Sequence, residues 1–106
     1  MSTEMDSKLE EIVKRIIEEV DPDKIILFGS RARGENEGWS DYDVCVLKRG
    51  VEHKRRLAQE IYNKLFGVGA SVDVIVETPE KFNELKDKWF LVYSEIAKSG
   101  SVVYEK

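Results

Sequence analysis

Three aspartates interrupt stretches of sequence that otherwise have the composition of buried strands. Asp41 and Asp43 stand at the start of an alternating segment, and Asp73 interrupts the apolar run of residues 72–76. Residues two apart on a strand project from the same face, so Asp41 and Asp43 are expected side by side. Buried ionised carboxylates are costly unless they are paired. A shared divalent cation would pair them, and oxygen-only ligands favour Mg²⁺ or Mn²⁺ over Zn²⁺.

A glycine and a serine upstream form the second candidate chemical element. Gly29 and Ser30 follow the short apolar run Lys24–Phe28 and begin a predicted helical turn, which would aim free backbone amides beyond the strand end. Glycine allows close approach of a phosphate, and the serine hydroxyl can donate to one. Arg31 and Arg33 add positive charge nearby. A phosphate-binding turn beside a carboxylate pair predicts metal-assisted transfer involving a nucleoside triphosphate.

The elements that must position these residues follow from the spacing of apolar side chains. A capping box of Ser7 and Glu10 precedes apolar residues at helical spacing, and Thr78-Pro79 has the residue types that begin a later helix. In chain order we predict a helix ending at residue 20, strands over 24–28 and 41–47, a helix over 52–66, a strand over 72–76, a helix, continuous or broken, over 79–98, and an edge strand over 101–104. This order predicts an α/β fold with a three- to four-stranded sheet flanked by helices.

Composition limits the remaining classes of function. The chain has 106 residues with 42% hydrophobic residues, which predicts a single domain over residues 1–106. Seventeen Lys and Arg against 21 Asp and Glu give a net charge of -4, so no direct nucleic-acid binding is expected. One cysteine, Cys45, and one histidine, His53, exclude an internal disulfide and a Cys/His zinc site. With no membrane-spanning segment or signal peptide in the sequence, a cytoplasmic location is expected.

The spacing of the chemical residues resembles that of a known family. Gly29 and Ser30, ten intervening residues, and then a D-x-D triplet at Asp41 and Asp43 match the G-S-x10-D-x-D signature of minimal nucleotidyltransferases, small members of the polymerase-β-like superfamily. The resemblance extends over nearly the whole chain, and Asp73 takes the place of the family's third carboxylate. It implies the nucleotidyltransferase fold with a short mixed sheet. It also implies a triphosphate held by the glycine and serine, and two Mg²⁺ ions held by the aspartates, with Asp73 as a ligand or as the base.

The same resemblance implies a partner protein. Family members of this size often accompany a helical HEPN-type toxin, which they neutralise as antitoxins, in characterised cases by transferring AMP from ATP to a tyrosine of the toxin. We therefore expect ATP or another nucleoside triphosphate and a HEPN-type protein as partners, and assembly as a hetero-oligomer or as a homodimer. Two alternatives stay open: an antitoxin that acts by binding alone, and a transferase that acts on a small molecule such as an aminoglycoside or on an RNA end.

Several of these residues also have plainer explanations. Arg31 and Arg33 could be ordinary surface residues of the turn, and Asp73 could simply pair with a Lys or Arg. Trp39 could stack on a base, whereas Trp89 and Phe90 could belong to the core or to a partner surface.

Overall fold

The computed structural model describes residues 5–106, which form a four-stranded sheet with helices on both faces. The elements, in chain order, are α1 (Ser7–Val20), β1 (Lys24–Phe28), α2 (Ser30–Arg33), β2 (Tyr42–Leu47), α3 (Lys54–Leu65), β3 (Val72–Glu77), α4 (Pro79–Leu85), α5 (Val92–Ser99) and β4 (Ser101–Glu105). The strand order is β3-β2-β1-β4. Strands β2 and β3 are parallel and the other pairs are antiparallel, so the predicted mixed sheet is confirmed. Within residues 5–106, no helix has both the length and the apolar character needed to span a bilayer.

Two clusters of buried side chains, one on each face of the sheet, hold these layers together. Helices α1 and α3 cover the first face over Leu9, Ile12, Ile16, Ile25, Leu27, Val44, Val46, Ile61 and Leu65. Helices α4 and α5 cover the second face over Ile26, Phe28, Cys45, Leu47, Phe82 and Ile96. The predicted alternation of β2 is therefore confirmed, because its two inner valines and Cys45 belong to opposite faces. Asp43, two residues before Cys45, shares the second face.

The helix boundaries correct the sequence prediction in two places and decide between its alternatives in a third. The N-cap of α1 is Asp6, whose carboxylate accepts from the backbone N–H of Leu9 at 2.7 Å, so the predicted capping box at Ser7 is wrong. Helix α3 begins at Lys54, two residues later than predicted. The last helical stretch is broken into α4 and α5 by residues 86–91, where Trp89 and Phe90 are exposed rather than part of the core. The Thr78 cap and the proline at the first turn of α4 are confirmed.

Ile12 provides a test of the first core cluster. Its side chain is fully buried between α1 and the sheet, so Ile12→Ala leaves a cavity and should reduce the free energy of unfolding by about 2–5 kcal/mol. Urea denaturation measures this loss. Val102→Ala, at a side chain that is 50% exposed, is the control and should change stability by no more than about 0.5 kcal/mol. Equal losses in the two variants would contradict the assignment of Ile12 to the core.

Candidate active site

The end of β1 and the starts of β2 and β3 meet at one end of the sheet. Phe28 pairs with Asp43, and Asp43 in turn pairs with Asp73. Because β1 is antiparallel to β2, the residue that follows β1, Gly29, lies beside Asp43, and the parallel strand β3 brings Asp73 to the other side of Asp43. Paired residues on neighbouring strands project from the same face, so the two carboxylates share the α4–α5 side of the sheet. The strand register thus brings together residues that are far apart in the sequence.

Gly29 has a backbone that a side chain could not adopt here without strain. Its φ of 77° and ψ of -157° lie in a region used almost only by glycine. A Cβ atom at this position would also collide with Oδ2 of Asp43. The carbonyl of Gly29 accepts from the N–H groups of Ala32 at 3.1 Å and Arg33 at 3.2 Å, and Ser30 is the first residue of α2. The predicted strand, glycine and helical turn are all present, and the glycine allows them to lie directly against Asp43.

The carboxyl group of Asp43 lies in an environment that opposes its ionisation. The pKa of Asp43 is raised above its ordinary value, first because the group is partly buried and then by the charges of Asp73 and Asp41. A hydrogen bond with Asp73 favours the protonated form further, and the charge of Glu95 adds to the effect. A positive charge bound at this point would remove the repulsion and favour the ionised carboxylate.

Asp41 and Asp73 are more exposed than their sequence context predicts. Asp41 precedes the first residue of β2 and is exposed, and Asp73 is exposed although it belongs to β3. The expectation that all three carboxylates lie inside buried strands is therefore wrong for these two. The reason is their position at the starts of strands, where the end of the sheet is open to solvent. Such a site is accessible to a ligand without any movement of the core.

The donor atoms at this end of the sheet fit a hard divalent cation. In the part of the chain that the structure describes, no three His, Cys, Asp or Glu side chains are already arranged around a common metal position. Mg²⁺, however, is commonly held by one or two carboxylates together with substrate phosphates and water. Asp43 and Asp73 supply two adjacent carboxylates of that kind, and the raised pKa of Asp43 reflects its partial burial first and then their repulsion. Asp41 lies close enough to add its charge.

Arg31 is held on the opposite side of the sheet from the carboxylates. Its Nε donates to the carbonyl of Ser40 at 3.0 Å, and its Nη2 donates to that of Gly38 at 3.3 Å. The guanidinium lies 3.8 Å from the ring centre of Tyr42, which is buried in the first core cluster. A further ion pair joins it to Asp6 at 4.0 Å. The structure therefore does not bring Arg31 to the carboxylates, and its contacts fix the loop that leads into β2.

Arg33 is held by ion pairs with two glutamates. Its Nε donates to Oε1 of Glu35 at 2.9 Å, and its Nη1 donates to Oε2 of Glu95 at 2.7 Å. Glu95 belongs to α5 and is also one of the charges that raise the pKa of Asp43. Sequence analysis missed Glu95, because a single acidic residue on the exposed side of a helix carries no motif. Only the packing of α5 beside α2 shows that it borders the site.

A second acidic residue that sequence analysis missed lies at the far end of β3. Glu77 is only 3% exposed and accepts hydrogen bonds from the hydroxyl of Tyr93 at 2.8 Å, the Nζ of Lys54 at 3.0 Å and the N–H of Thr78 at 3.1 Å. Burial acts to raise the pKa of Glu77, but these bonds hold it below its ordinary value. The same cluster affects Cys45, whose thiol pKa is raised to about 12, mainly by burial and partly by the charge of Glu77. These contacts join β3 to α3 and α5.

Comparison with known proteins adds independent findings. A family model described as nucleotidyltransferase domain matches residues 7–103. The chain resembles a crystal structure of a toxin-antitoxin with AMP-PNP, with 20% identity, coverage of 94% of this chain and 74% of that chain, and a TM-score of 0.62. It also resembles a "putative nucleotidyltransferase" from Sulfolobus solfataricus, with 21% identity, coverage of 97% and 91%, and a TM-score of 0.63. No curated protein sequence matches. At these identities the two structures establish the fold.

Substitution of Gly29 should be far more disruptive than substitution of another glycine with a positive φ. Gly29→Ala combines a glycine-only backbone with a collision against Asp43, whereas Gly34, with a φ of 74°, has no atom within 4 Å of an added Cβ. Gly34→Ala should cost about 1–2 kcal/mol of unfolding free energy, and Gly29→Ala should cost more. Chemical denaturation of both variants measures the difference. Similar losses of unfolding free energy in the two variants would show that the close approach of Gly29 to Asp43 does not limit which residue this position accepts.

The raised pKa of Asp43 predicts a stability that depends on pH. A carboxyl with a raised pKa in the folded state stabilises the protein below its unfolded pKa, near 3.8, and that contribution is lost as the pH rises through the folded pKa. Asp43→Asn removes the charge, so it should raise the melting temperature of the ligand-free protein at pH 7 by a few degrees and less at pH 4. For scale, about 1 kcal/mol corresponds to about 4–8 °C in a domain of this size.

The exposed Asp87 provides the control for this measurement, since it lies in the segment between α4 and α5. Asp87→Asn should leave the melting temperature nearly unchanged at both pH values. If Asp43→Asn destabilises the ligand-free protein at pH 7, the inferred repulsion between the carboxylates is wrong.

Proposed function

This chain belongs to the nucleotidyltransferase domain family, and from that membership we propose that it transfers AMP from ATP to a hydroxyl group of a partner protein in a reaction that requires Mg²⁺. One observation carries the proposal beyond the family. The turn at Gly29 and Ser30 lies directly against Asp43, and Asp43 pairs with Asp73. A candidate phosphate-binding turn and a repelling carboxylate pair therefore occupy the same open end of the sheet.

The glycine, the serine and the three aspartates each have a role in this proposal, whereas Arg31 has none. The backbone at Gly29 and the hydroxyl of Ser30 bind the outer phosphates of ATP. Helix α2 has only four residues, so its local N–H groups and hydroxyl, rather than a long helix dipole, supply the attraction. Asp43 and Asp73 would hold Mg²⁺, and Asp41 would join them from the adjacent exposed position. When bound, Mg²⁺ would neutralise negative charge on the triphosphate and on the leaving pyrophosphate.

The transfer step is a displacement at the α-phosphorus of ATP. The acceptor oxygen forms a bond to that phosphorus while the bond to the oxygen bridging the α- and β-phosphates breaks, and pyrophosphate leaves with the bonding electron pair. The proton of the acceptor hydroxyl must be removed, and in this proposal Asp73, one of the two exposed carboxylates at the site, accepts it. A bound cation would offset the repulsion that Asp73 and Asp41 exert on Asp43, so the Asp43 carboxyl group would stay ionised. Most of the rate enhancement then comes from positioning and charge neutralisation.

The acceptor that we propose is a tyrosine of a HEPN-type toxin. Two lines of support point to a partner protein: the resemblance to minimal nucleotidyltransferases that act as antitoxins, and the structural similarity to a toxin-antitoxin solved with AMP-PNP. The site itself is consistent with a large acceptor. It lies at an open end of the sheet with two exposed aspartates, so a side chain on the surface of another protein can reach it.

Ligand binding should stabilise the protein through the carboxylates. Mg²⁺ with AMP-PNP should raise the melting temperature by several degrees, since a ligand at 100 times its Kd stabilises the native state by about 2.7 kcal/mol. The double variant Asp41→Asn/Asp43→Asn should lose this shift. Asp87→Asn, away from the proposed site, should retain it. A wild-type-sized shift in the double variant would show that the nucleotide binds elsewhere.

Intact mass spectrometry tests the reaction. A purified HEPN-type partner incubated with this chain, ATP and Mg²⁺ should gain whole AMP units, and it should gain none with the Asp41→Asn/Asp43→Asn variant. A stable complex without any mass gain would favour an antitoxin that acts by binding alone. If neither a complex nor a mass gain is found, the proposal of a protein acceptor is wrong, and small molecules are the acceptors to test next.

A further inference from the structure

The ion pair between Arg33 and Glu95 joins two elements that border the candidate site. Arg33 is the last residue of α2, one helical turn after Ser30, and Glu95 lies on α5. Their Nη1 and Oε2 atoms are 2.7 Å apart, and this is the shorter of the two ion pairs of Arg33. Glu95 also acts electrostatically on Asp43. Glu95 therefore contacts the arginine directly and also adds to the negative charge around the carboxylates that we propose as metal ligands.

A carboxylate and a phosphate bind arginine in the same way. Both present oxygens that accept from the fixed fork of guanidinium N–H groups. Arg33 follows the turn proposed to bind the outer phosphates of ATP, and its ion pair with Glu95 of α5 holds its guanidinium on the face of the sheet that carries Asp43. Within the proposed function, a triphosphate bound at the turn lies on the same side of the sheet as this guanidinium. In the ligand-free protein, the Nη1 donor is already occupied by Glu95.

We propose that Glu95 is a positioning residue that occupies the phosphate-binding donor of Arg33 in the ligand-free site and is displaced from it by the outer phosphates of a nucleoside triphosphate. This inference rests on the proposed function. The pair is suited to exchange, because both side chains are partly exposed, at 36% and 45%, and exposed ion pairs contribute little net stability. A phosphate carries more negative charge than a carboxylate, so it competes effectively for the arginine. Glu95 thus lowers the affinity for nucleotide and keeps Arg33 directed toward the site.

A double-mutant cycle with AMP-PNP and Mg²⁺, read out by isothermal titration calorimetry, tests the competition. Glu95→Gln should tighten AMP-PNP binding by about two- to fivefold, the range expected for loss of one exposed competing ion pair. Arg33→Gln should weaken binding. In the Arg33→Gln background, adding Glu95→Gln should produce little further change, because the donor for which the carboxylate competes is absent.

Glu35→Gln is the matched control. Glu35 also pairs with Arg33, but through Nε and from a more exposed position, and it is not one of the main charges that raise the pKa of Asp43, so its removal should change the Kd less than twofold. Equal tightening by Glu95→Gln in both backgrounds would mean a general charge effect and would overturn the inference. Weaker binding in Glu95→Gln would also overturn it, because Glu95 would then support the bound state. If wild-type protein binds no AMP-PNP, the proposed function fails and this inference fails with it.

Discussion

The close approach of the Gly29 backbone to the Asp43 carboxylate is the constraint on which the site depends. It requires three things at once: a residue without a Cβ, a backbone conformation that only glycine adopts readily, and a register that pairs Phe28 with Asp43. The antiparallel β1–β2 pair sets that register, and the parallel β2–β3 pair adds Asp73. The two core clusters hold these strands in place from both faces. The chemical groups are therefore positioned by the most buried part of the molecule, although they are themselves at its open end.

The fold was largely predictable because the strands have simple signals. β1 was predicted to the residue, since a continuous apolar run between a proline turn and a glycine leaves few alternatives. The alternation of β2 correctly placed Asp43 on the face opposite the inner valines. The exposure of Asp41 and Asp73 was not predictable, because strand composition does not reveal where along a strand the covering helices end. The G-S and D-x-D spacing nevertheless identified the residues that the register brings together.

What sequence analysis missed depends on contacts between distant elements. Arg31 and Arg33 are equivalent in the sequence, two basic residues in one turn, but they project to opposite sides of the sheet. Glu95 and Glu77 had no distinguishing pattern, and only the packing of α5 explains both. Helix α5 presents Glu95 to Arg33, and Tyr93 of the same helix donates to Glu77. Strand β3 thus carries an exposed acid, Asp73, near its start and a buried, hydrogen-bonded acid, Glu77, at its end. Carboxylates repel one another near the first of these positions, where we propose that ligands bind, and such a local loss of stability is typical of functional sites.

Because Cys45 is buried, the folded protein should react only slowly with thiol reagents. The side chain has no solvent exposure, and with a thiol pKa near 12 almost none of the reactive thiolate exists at neutral pH. Because Cys45 is the only cysteine in the chain and lies in β2, two residues from Asp43, its slow alkylation would report how often the centre of the sheet opens. A cysteine introduced on the surface could be labelled selectively beside it. The alkylation rate of the native Cys45 is therefore a direct measure of local unfolding next to the proposed catalytic carboxylates.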